Sequence, residues 1–589
     1  MKSLAGLLPF IAPYKRLIGA GFLTFFIARF FEVSSYYLVA LGLDTIGTLV
    51  ADEVPEYGLG IITIGIIVSV LMRFLFVVYA RRAVRRAGMA VSYDLRQKLY
   101  SVVQRQGSDF FARMGIGDIM TRAIQDISLI QRLVAFGSIQ IVIMVYAPLY
   151  GVSAMMYKSS SLTLMIVPIL PAILYYGWWM SKSLAETSQA VQQGLSDLSA
   201  HVQENLSGIR TVQAMAQEEN EITRFWVTNN AYGEAFYDQA RVNSLMSAWM
   251  PFLAAVAQLM ILTYGGNQVL KGEMTVGDLV FFLACLNMLL QPIRMAGMFA
   301  NLLLRGAVAT RRLYEIFDSE PEIADQPSGQ TPAQIRGEFE IRHLSYTYPR
   351  AAEPVLKDVS LRIRAGESVA IVGRVGSGKS TLLKMFTRML DTPPGTLFLD
   401  GHDIRDYPLK QIRREIAQVL QDPFLFGEPL RNNISYDDPE RHLDVIWDSA
   451  EAAALRSTIE EFPLQMETLV GERGVTLSGG QKQRATLARG LIRQAPVLIL
   501  DDCFSSVDTE TEEHILSRLK QMRSSMTTIL VSHRVSTLRH ADRIVVLQEG
   551  EIVETGSHEE LLRLNGIYAE LERAQTLGSD NQPLPEQQP

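Results

Sequence analysis

Two patterns of apolar and polar positions divide this chain. In the first half, six long apolar runs near 17–43, 58–80, 136–157, 161–181, 247–266 and 277–303 alternate with polar stretches. Each is near or above the roughly 18–20 residues a helix needs to cross a bilayer. The polar stretches after the second and fourth runs, near 81–130 and 182–245, are long, whereas the loops after the first, third and fifth are short. Ala, Gln, Glu, Arg and Leu dominate the long stretches, so they are predicted to be helical, and two spanning helices are predicted to project well beyond the membrane. Past about residue 336 the pattern changes. Short β-rich runs alternate with helical stretches, the signature of an α/β domain with a mixed sheet. Four segments are expected: a transmembrane domain with six helices at 1–317, a linker at 318–336 rich in Pro, Asp, Glu and Gln, an α/β domain at 337–574, and a disordered polar tail at 575–589.

Charge orients the bundle. Lys15 and Arg16 precede the first run, Arg81, Arg82, Arg85 and Arg86 follow the second, and Arg305, Arg311 and Arg312 follow the sixth. The first short loop is instead acidic, with Asp52, Glu53 and Glu56. Basic flanks stay on the cytoplasmic side, so both termini and the long polar segments are expected there. Over 589 residues, 55 Lys+Arg against 62 Asp+Glu leave a net charge of -7, and nothing in that balance points to nucleic acid. The two cysteines, Cys285 and Cys503, are too few and too far apart for a disulfide framework. Cys503, beside an acidic pair, is expected at an exposed position in a reducing compartment. No cleavable signal or transit segment is evident, which favours a bacterial inner membrane.

The chemistry lies in the second half. The strand-like Ser368-Val369-Ala370-Ile371-Val372 runs into Gly373-Arg374-Val375-Gly376-Ser377-Gly378-Lys379-Ser380-Thr381 and then a helical stretch. This is a P-loop in its required context. Its glycines let backbone N–H groups wrap phosphate oxygens at a helix start, Lys379 can reach the β- and γ-phosphates, and the Ser380 hydroxyl can ligate Mg²⁺. A second apolar strand, Val497 to Leu500, ends in Asp501-Asp502, where Asp501 is a candidate Mg²⁺ partner. Between them lies Leu477-Ser478-Gly479-Gly480-Gln481. A Ser hydroxyl with bare Gly amides at a helix start can form a second anion clamp.

That last motif resembles the hallmark of the ATP-binding cassette (ABC) transporters, and the resemblance covers nearly the whole chain. It implies an α-helical six-span transmembrane bundle fused to an α/β P-loop ATPase domain, with ATP and Mg²⁺ as ligands. In that family the clamp of Ser478, Gly479, Gly480 and Gln481 would close on the γ-phosphate of ATP held by the P-loop of a second subunit. Tyr348 in YTYP aligns with the aromatic that stacks on adenine, and Tyr346 is an alternative expected on the same strand face. Gln421 aligns with a residue that touches Mg²⁺ and senses the γ-phosphate, and His533 with the switch histidine. Gly471-Glu472-Arg473-Gly474 resembles a loop that contacts the membrane domain, and Ser505-Ser506-Val507-Asp508 one that couples the two ATP sites. In the membrane half, Gly117 to Arg122 and Glu204 to Val212 resemble the two cytoplasmic coupling segments of exporter-type half-transporters.

One departure matters. Active family members usually carry Glu where this chain has Asp502. Aspartate is one methylene shorter, and general-base geometry is tight. The resemblance is therefore to the degenerate-site subunit of bacterial heterodimeric multidrug exporters. Such a chain would hydrolyse its own ATP slowly and lend an intact Ser478-Gly480 signature to a different partner chain. A homodimeric lipid flippase or multidrug exporter, and an ATP-gated regulator without transport, are the alternatives.

The cargo is less legible. A small amphipathic substrate, drug or lipid, is what the resemblance implies. Arg29 and Glu32 share a helix face within the first run and Arg73 lies in the second. They either line a pathway or form a structural ion pair. Met246, Met250, Met260, Met288, Met295 and Met298, with Asn287, Gln291 and Pro292, mark the fifth and sixth runs. Such methionines form either a re-packable binding surface or ordinary core.

Overall fold

The computed structural model describes residues 2–325, 334–349, 351–471, 474–523 and 525–579. The middle of the expected linker, Glu472, Arg473, the Met250 side chain and residues 580–589 of the expected tail lie outside them. The described residues form two compact units, 1–105 with 114–319 and 106–113 with 320–589.

In the first unit six helices are long and apolar enough to cross a membrane. Their principal segments are α1 (Lys15–Val50), α2 (Leu59–Val103), α4 (Ser138–Lys158), α5 (Ile169–Ser207), α6 (Glu218–Met260) and α7 (Val276–Phe317). A short helix, α3 (Ser108–Met114), follows α2. At 1.5 Å per residue, α2 and α6 are roughly 65 Å long, about twice the thickness of a hydrocarbon core. The polar stretches thus extend the spans as helices, with breaks that include 104–107, 208 and 215–217. Three π-helical turns, at Arg122–Asp126, Leu133–Gly137 and Ile261–Gly265, interrupt the third and fifth spanning helices. They are local widenings that no hydrophobic period announces.

α7 sits at the centre of the bundle. Phe282, Cys285, Leu286 and Leu289 on α7 pack with Ala40 of α1, Met155 of α4, Ile173 of α5 and Ala257 of α6. Among the marked methionines Met288 is buried, whereas Met298 is exposed. The charged trio in the first two spans is an ion-pair network. Arg29 donates to Glu32, Arg73 Nη2 lies 2.8 Å from Glu32 Oε1, and the Tyr36 hydroxyl donates to the same oxygen at 3.1 Å. The Arg29 guanidinium also lies 5.0 Å from the Phe25 ring centroid. Burial of Arg29 and Glu32 demands such pairing.

The second unit contains two sheets. Strands β1 (Phe339–Tyr346), β2 (Leu356–Ile363), β4 (Leu397–Leu399) and β5 (His402–Asp403) form an antiparallel sheet ordered β2-β1-β4-β5. The larger sheet is ordered β10-β9-β3-β8-β7-β6. It comprises β3 (Ser368–Val372), β6 (Ile416–Val419), β7 (Val497–Asp501), β8 (Thr527–Val531), β9 (Arg543–Gln548) and β10 (Glu551–Gly556). All its pairings are parallel except β9 with β10. Every residue of β7 is buried, as a parallel strand covered on both faces requires. α3 belongs to this unit through Phe110, whose N–H donates to Glu322 Oε1 at 2.8 Å.

Two expectations are corrected. Cys503 is buried at 2% exposure, because the chain turns inward after β7 and packs the thiol with Leu500 and Phe504 in the core. Burial pushes that thiol upward, away from reactivity. The last helix, α11 (Ile567–Ser579), continues past residue 575, where polar composition predicts disorder. Gln575 gives the reason: its amide accepts from Val535 N–H at 2.9 Å and donates to the His533 carbonyl.

Candidate nucleotide site

Four adjacent parallel strands aim their carboxyl ends at one edge of the larger sheet. Gly373 follows β3, Asp501 closes β7, His533 follows β8 and Gln421 follows β6. In open parallel sheets this edge is where ligands bind. Sheet topology thus collects residues that are up to 160 positions apart, from Gly373 to His533.

The P-loop wraps between β3 and α8 (Lys379–Phe386). Gly378 caps α8 at φ +101°, and a Cβ there would meet the Val355 carbonyl at 2.9 Å, so only glycine fits. The buried Lys379 Nζ donates to the carbonyls of Gly373 at 2.7 Å and Arg374 at 2.9 Å. Burial lowers the Lys379 ammonium and the Asp501 and Asp502 charges oppose that shift. The same ammonium can redirect its donors to phosphate oxygens. Tyr348 lies two residues beyond Tyr346, the last residue of β1, and the two rings meet edge-on with centroids 5.2 Å apart. Pro349 follows Tyr348 and cannot donate to a ladder, and the pairing stops at Tyr346 with Leu356. The Tyr348 hydroxyl is 3.2 Å from Thr381 Oγ1, which ties the aromatic to the P-loop helix.

The acidic pair is distinctive. Asp501 is 8% exposed. Asp502 turns away from the strand at φ +45°, with its N–H donating to Val531 O at 2.9 Å. Burial raises both carboxyls above the usual range, Asp502 adds to the shift at Asp501, and His533 opposes it at Asp502. Gln421 Nε2 reaches Asp502 Oδ2 at 3.5 Å. A buried and a half-buried carboxylate, both with raised affinity for protons, form a site that a divalent cation would suit.

The signature forms a separate feature. Ser478 caps α9 (Gly479–Leu491) in a capping box. Its Oγ accepts from Gln481 N–H at 3.3 Å and its N–H donates to Gln481 Oε1 at 2.9 Å. A Cβ on Gly480 would lie 2.7 Å from Ser506 O, so the motif presses against the loop after β7. Among the described residues, no hydrogen bond joins Ser478, Gly479, Gly480 or Gln481 to the P-loop of the same chain.

Comparison with known proteins decides the family. Residues 18–293 match the model of the ABC transporter transmembrane region, and residues 356–505 match that of the ABC transporter. An ATP-dependent lipid A-core flippase of Syntrophus aciditrophicus (strain SB) is 36% identical over 488 residues, 83% of this chain and 81% of the relative. This chain belongs to the ABC exporters.

This half-transporter is also 34% identical, over 83% of its length and 84% of the relative's, to the putative multidrug export ATP-binding/permease protein YgaD of Bacillus subtilis (strain 168). Its fold matches that of a bacterial Atm1-family ABC exporter with ATP bound, at TM-score 0.74 and 24% identity, covering 98% of this chain and 99% of that one. Its second unit is an ABC ATPase domain, which binds ATP.

Several side chains that sequence reasoning missed hold the half-transporter's site loops together. Gln483 donates to Ser505 Oγ at 2.7 Å and accepts from Ser506 N–H at 2.8 Å, joining the signature helix to the loop after β7. Arg534, beside His533, donates to Val507 O at 3.0 Å, Ser505 O at 3.1 Å and Glu512 Oε2 at 2.7 Å. One signal was available. Glu512 lies three and four residues before Ile515 and Leu516 on the apolar face of α10 (Thr509–Met522), and a carboxylate there requires a buried partner.

Proposed function

We propose that this half-transporter exports amphipathic or apolar compounds as one of two unlike subunits. It would reside in a bacterial inner membrane with its ATPase domain and both termini cytoplasmic. Asp502 carries this reading. Its backbone is held by Val531 and turned at positive φ, which supports a short carboxylate that stays back from an attacking water. Loss of a general base costs roughly 10²–10⁴ in rate. Hydrolysis at this chain's own P-loop is therefore slow.

The residue roles proposed for this site rest on the family resemblance and fit the arrangement at the sheet edge. Tyr348 offers its ring to adenine. Gly373, Gly376, Ser377, Gly378 and Thr381 shape the phosphate cradle, and Lys379 donates to the β- and γ-phosphates. Ser380, Gln421 and Asp501 would hold Mg²⁺, which supplies charge neutralisation at the phosphates. Asp502 orients water, and His533 contacts the γ-phosphate. Ser478, Gly479, Gly480 and Gln481 make no hydrogen bond to this chain's P-loop among the described residues and would serve the partner's nucleotide. That partner carries a competent base. ATP binding draws the two ATPase domains together and hydrolysis releases them, so two conformations of the bundle alternate through their different affinities for nucleotide.

The test is ATPase activity of the purified chain alone, in nanodiscs, beside Asp502→Glu. Near-inactivity of the wild type with recovery in Asp502→Glu supports the reading. Brisk turnover by the wild type alone overturns it. A second reading, a homodimeric lipid flippase, is favoured by the similarity to an ATP-dependent lipid A-core flippase, and it would then take its place.

A further inference from the structure

The second unit holds a cleft of about 170 Å³ on the face of the larger sheet that α10 covers. It lies toward the amino ends of the strands, beside Gly366, Ser368, Thr528 and Asp542. The P-loop and the acidic pair gather at the opposite, carboxyl ends. Leu500, Leu516, Leu519 and Leu530 give the cleft an apolar lining. Drug-sized sites run to roughly 300–1,000 Å³, so this one suits a ligand of few atoms.

One side chain in its wall is not accounted for by the fold. Arg523, the residue after α10, lines the cleft and is 8% exposed. Its Nη2 donates to Ala495 O at 2.9 Å, but its Nε has no hydrogen-bond partner, and no acid forms an ion pair with it among the described residues. Burial alone pulls the guanidinium down to about 10, with no carboxylate opposing the shift. A buried cation without a counter-charge is costly. Asp542, the carboxylate among the lining residues, is engaged elsewhere, its Oδ2 accepting from Ser368 N–H at 3.0 Å. Lys520, exposed on the last turn of α10, adds a second cation to the wall. A helix C-terminus favours cations, which accounts for Lys520 at the surface but not for a buried guanidinium with a free N–H.

We propose that this cleft binds a small carboxylate with a short apolar body, of about the size of butyrate. The carboxylate pairs with Arg523 and Lys520, since its plane matches the guanidinium fork. The alkyl part packs on the leucines and Met526. The site does not depend on the export reading.

Fluorine NMR of 4,4,4-trifluorobutyrate with the full chain in nanodiscs tests it. Wild type broadens the signal beyond the level of empty nanodiscs. Excess butyrate sharpens it again, whereas butyramide, its neutral counterpart, does not. Arg523→Gln weakens binding at least about tenfold. Arg563→Gln, the same charge change on an exposed arginine outside the cleft, keeps it. If Arg523→Gln fails to fold, Lys520→Gln carries the test, with binding about threefold weaker. Saturating ATP leaves the broadening in place. Displacement by ATP assigns the anion to the P-loop and overturns the proposal. So does equal displacement by butyramide, or inorganic phosphate competing as well as butyrate. Unchanged binding in a folded Arg523→Gln, or in Lys520→Gln where that variant carries the test, overturns it too.

Discussion

Asp501 and Asp502 face the same chemical problem from two sides. Burial raises both carboxyls above their ordinary value near 3.9. A raised folded-state value means that stability is fully present at low pH and is lost as pH rises through that value. A cation that replaces the proton should restore it. Added Mg²⁺ is therefore expected to raise the thermal midpoint of the full chain at about pH 7.5 more than at about pH 5, because protonated carboxylates bind metal poorly. Asp501→Asn should remove the increment. Differential scanning fluorimetry in detergent measures both. Lys379→Met removes a charge-assisted donor and should lower ATP affinity roughly 10- to 150-fold, read by fluorescent-nucleotide titration. At this scale the P-loop and signature were legible because their chemistry is local: glycines, a lysine and hydroxyls within a few positions. Cys503 was not, because its burial depends on where β7 delivers the next turn. Neither was the position of Tyr348 relative to β1, although Pro349 held the clue.

Elements position the site through contacts between loops. Glu512 on α10 is 1% exposed, with Arg534 on one oxygen and the Thr537 hydroxyl donating to the other. Glu512→Ala should destabilise the ATPase domain by about 2–3 kcal/mol, at the lower end for a broken buried pair because Arg534 is partly exposed. Urea denaturation followed by tryptophan fluorescence checks it. α11 exerts a more local hold. Gln575→Ala removes the acceptor for Val535 N–H, so hydrogen exchange should quicken around Val535 while the core strand β8 keeps its protection. The helices and the alternating strands were readable from period and composition. The π-turns were not, since one extra residue within a turn leaves the apolar run intact. The hold of α11 on the loop after β8 was also hidden, because it joins residues 40 positions apart through one polar side chain.

At the scale of the molecule, six spans and an ATPase domain could be read in outline because membrane helices and P-loops impose strict length and residue requirements. Assembly is less direct. The polar halves of α5 and α6 pack on each other and leave Leu206, Trp226, Val227, Phe236 and Tyr237 exposed. Such residues are normally covered. Together with a signature that makes no hydrogen bond to its own P-loop among the described residues, they lead us to expect a complex of two half-transporters. On the proposed reading of two unlike subunits, mass photometry of the purified chain mixed with a second half-transporter should show about twice the mass of one chain, and the wild-type chain alone should form few such species.

The ion-pair network on α1 and α2 has an electrical consequence. Arg29, Glu32 and Arg73 together carry one net positive charge inside the apolar length of the bundle. An elementary charge that crosses the whole membrane field exchanges about 2.3 kcal/mol per 100 mV. If α1 and α2 shift by a tenth of the membrane thickness between the two conformations, each turnover exchanges roughly 0.2 kcal/mol with a 100 mV potential. The cell's voltage then biases which conformation the bundle prefers, independently of the nucleotide.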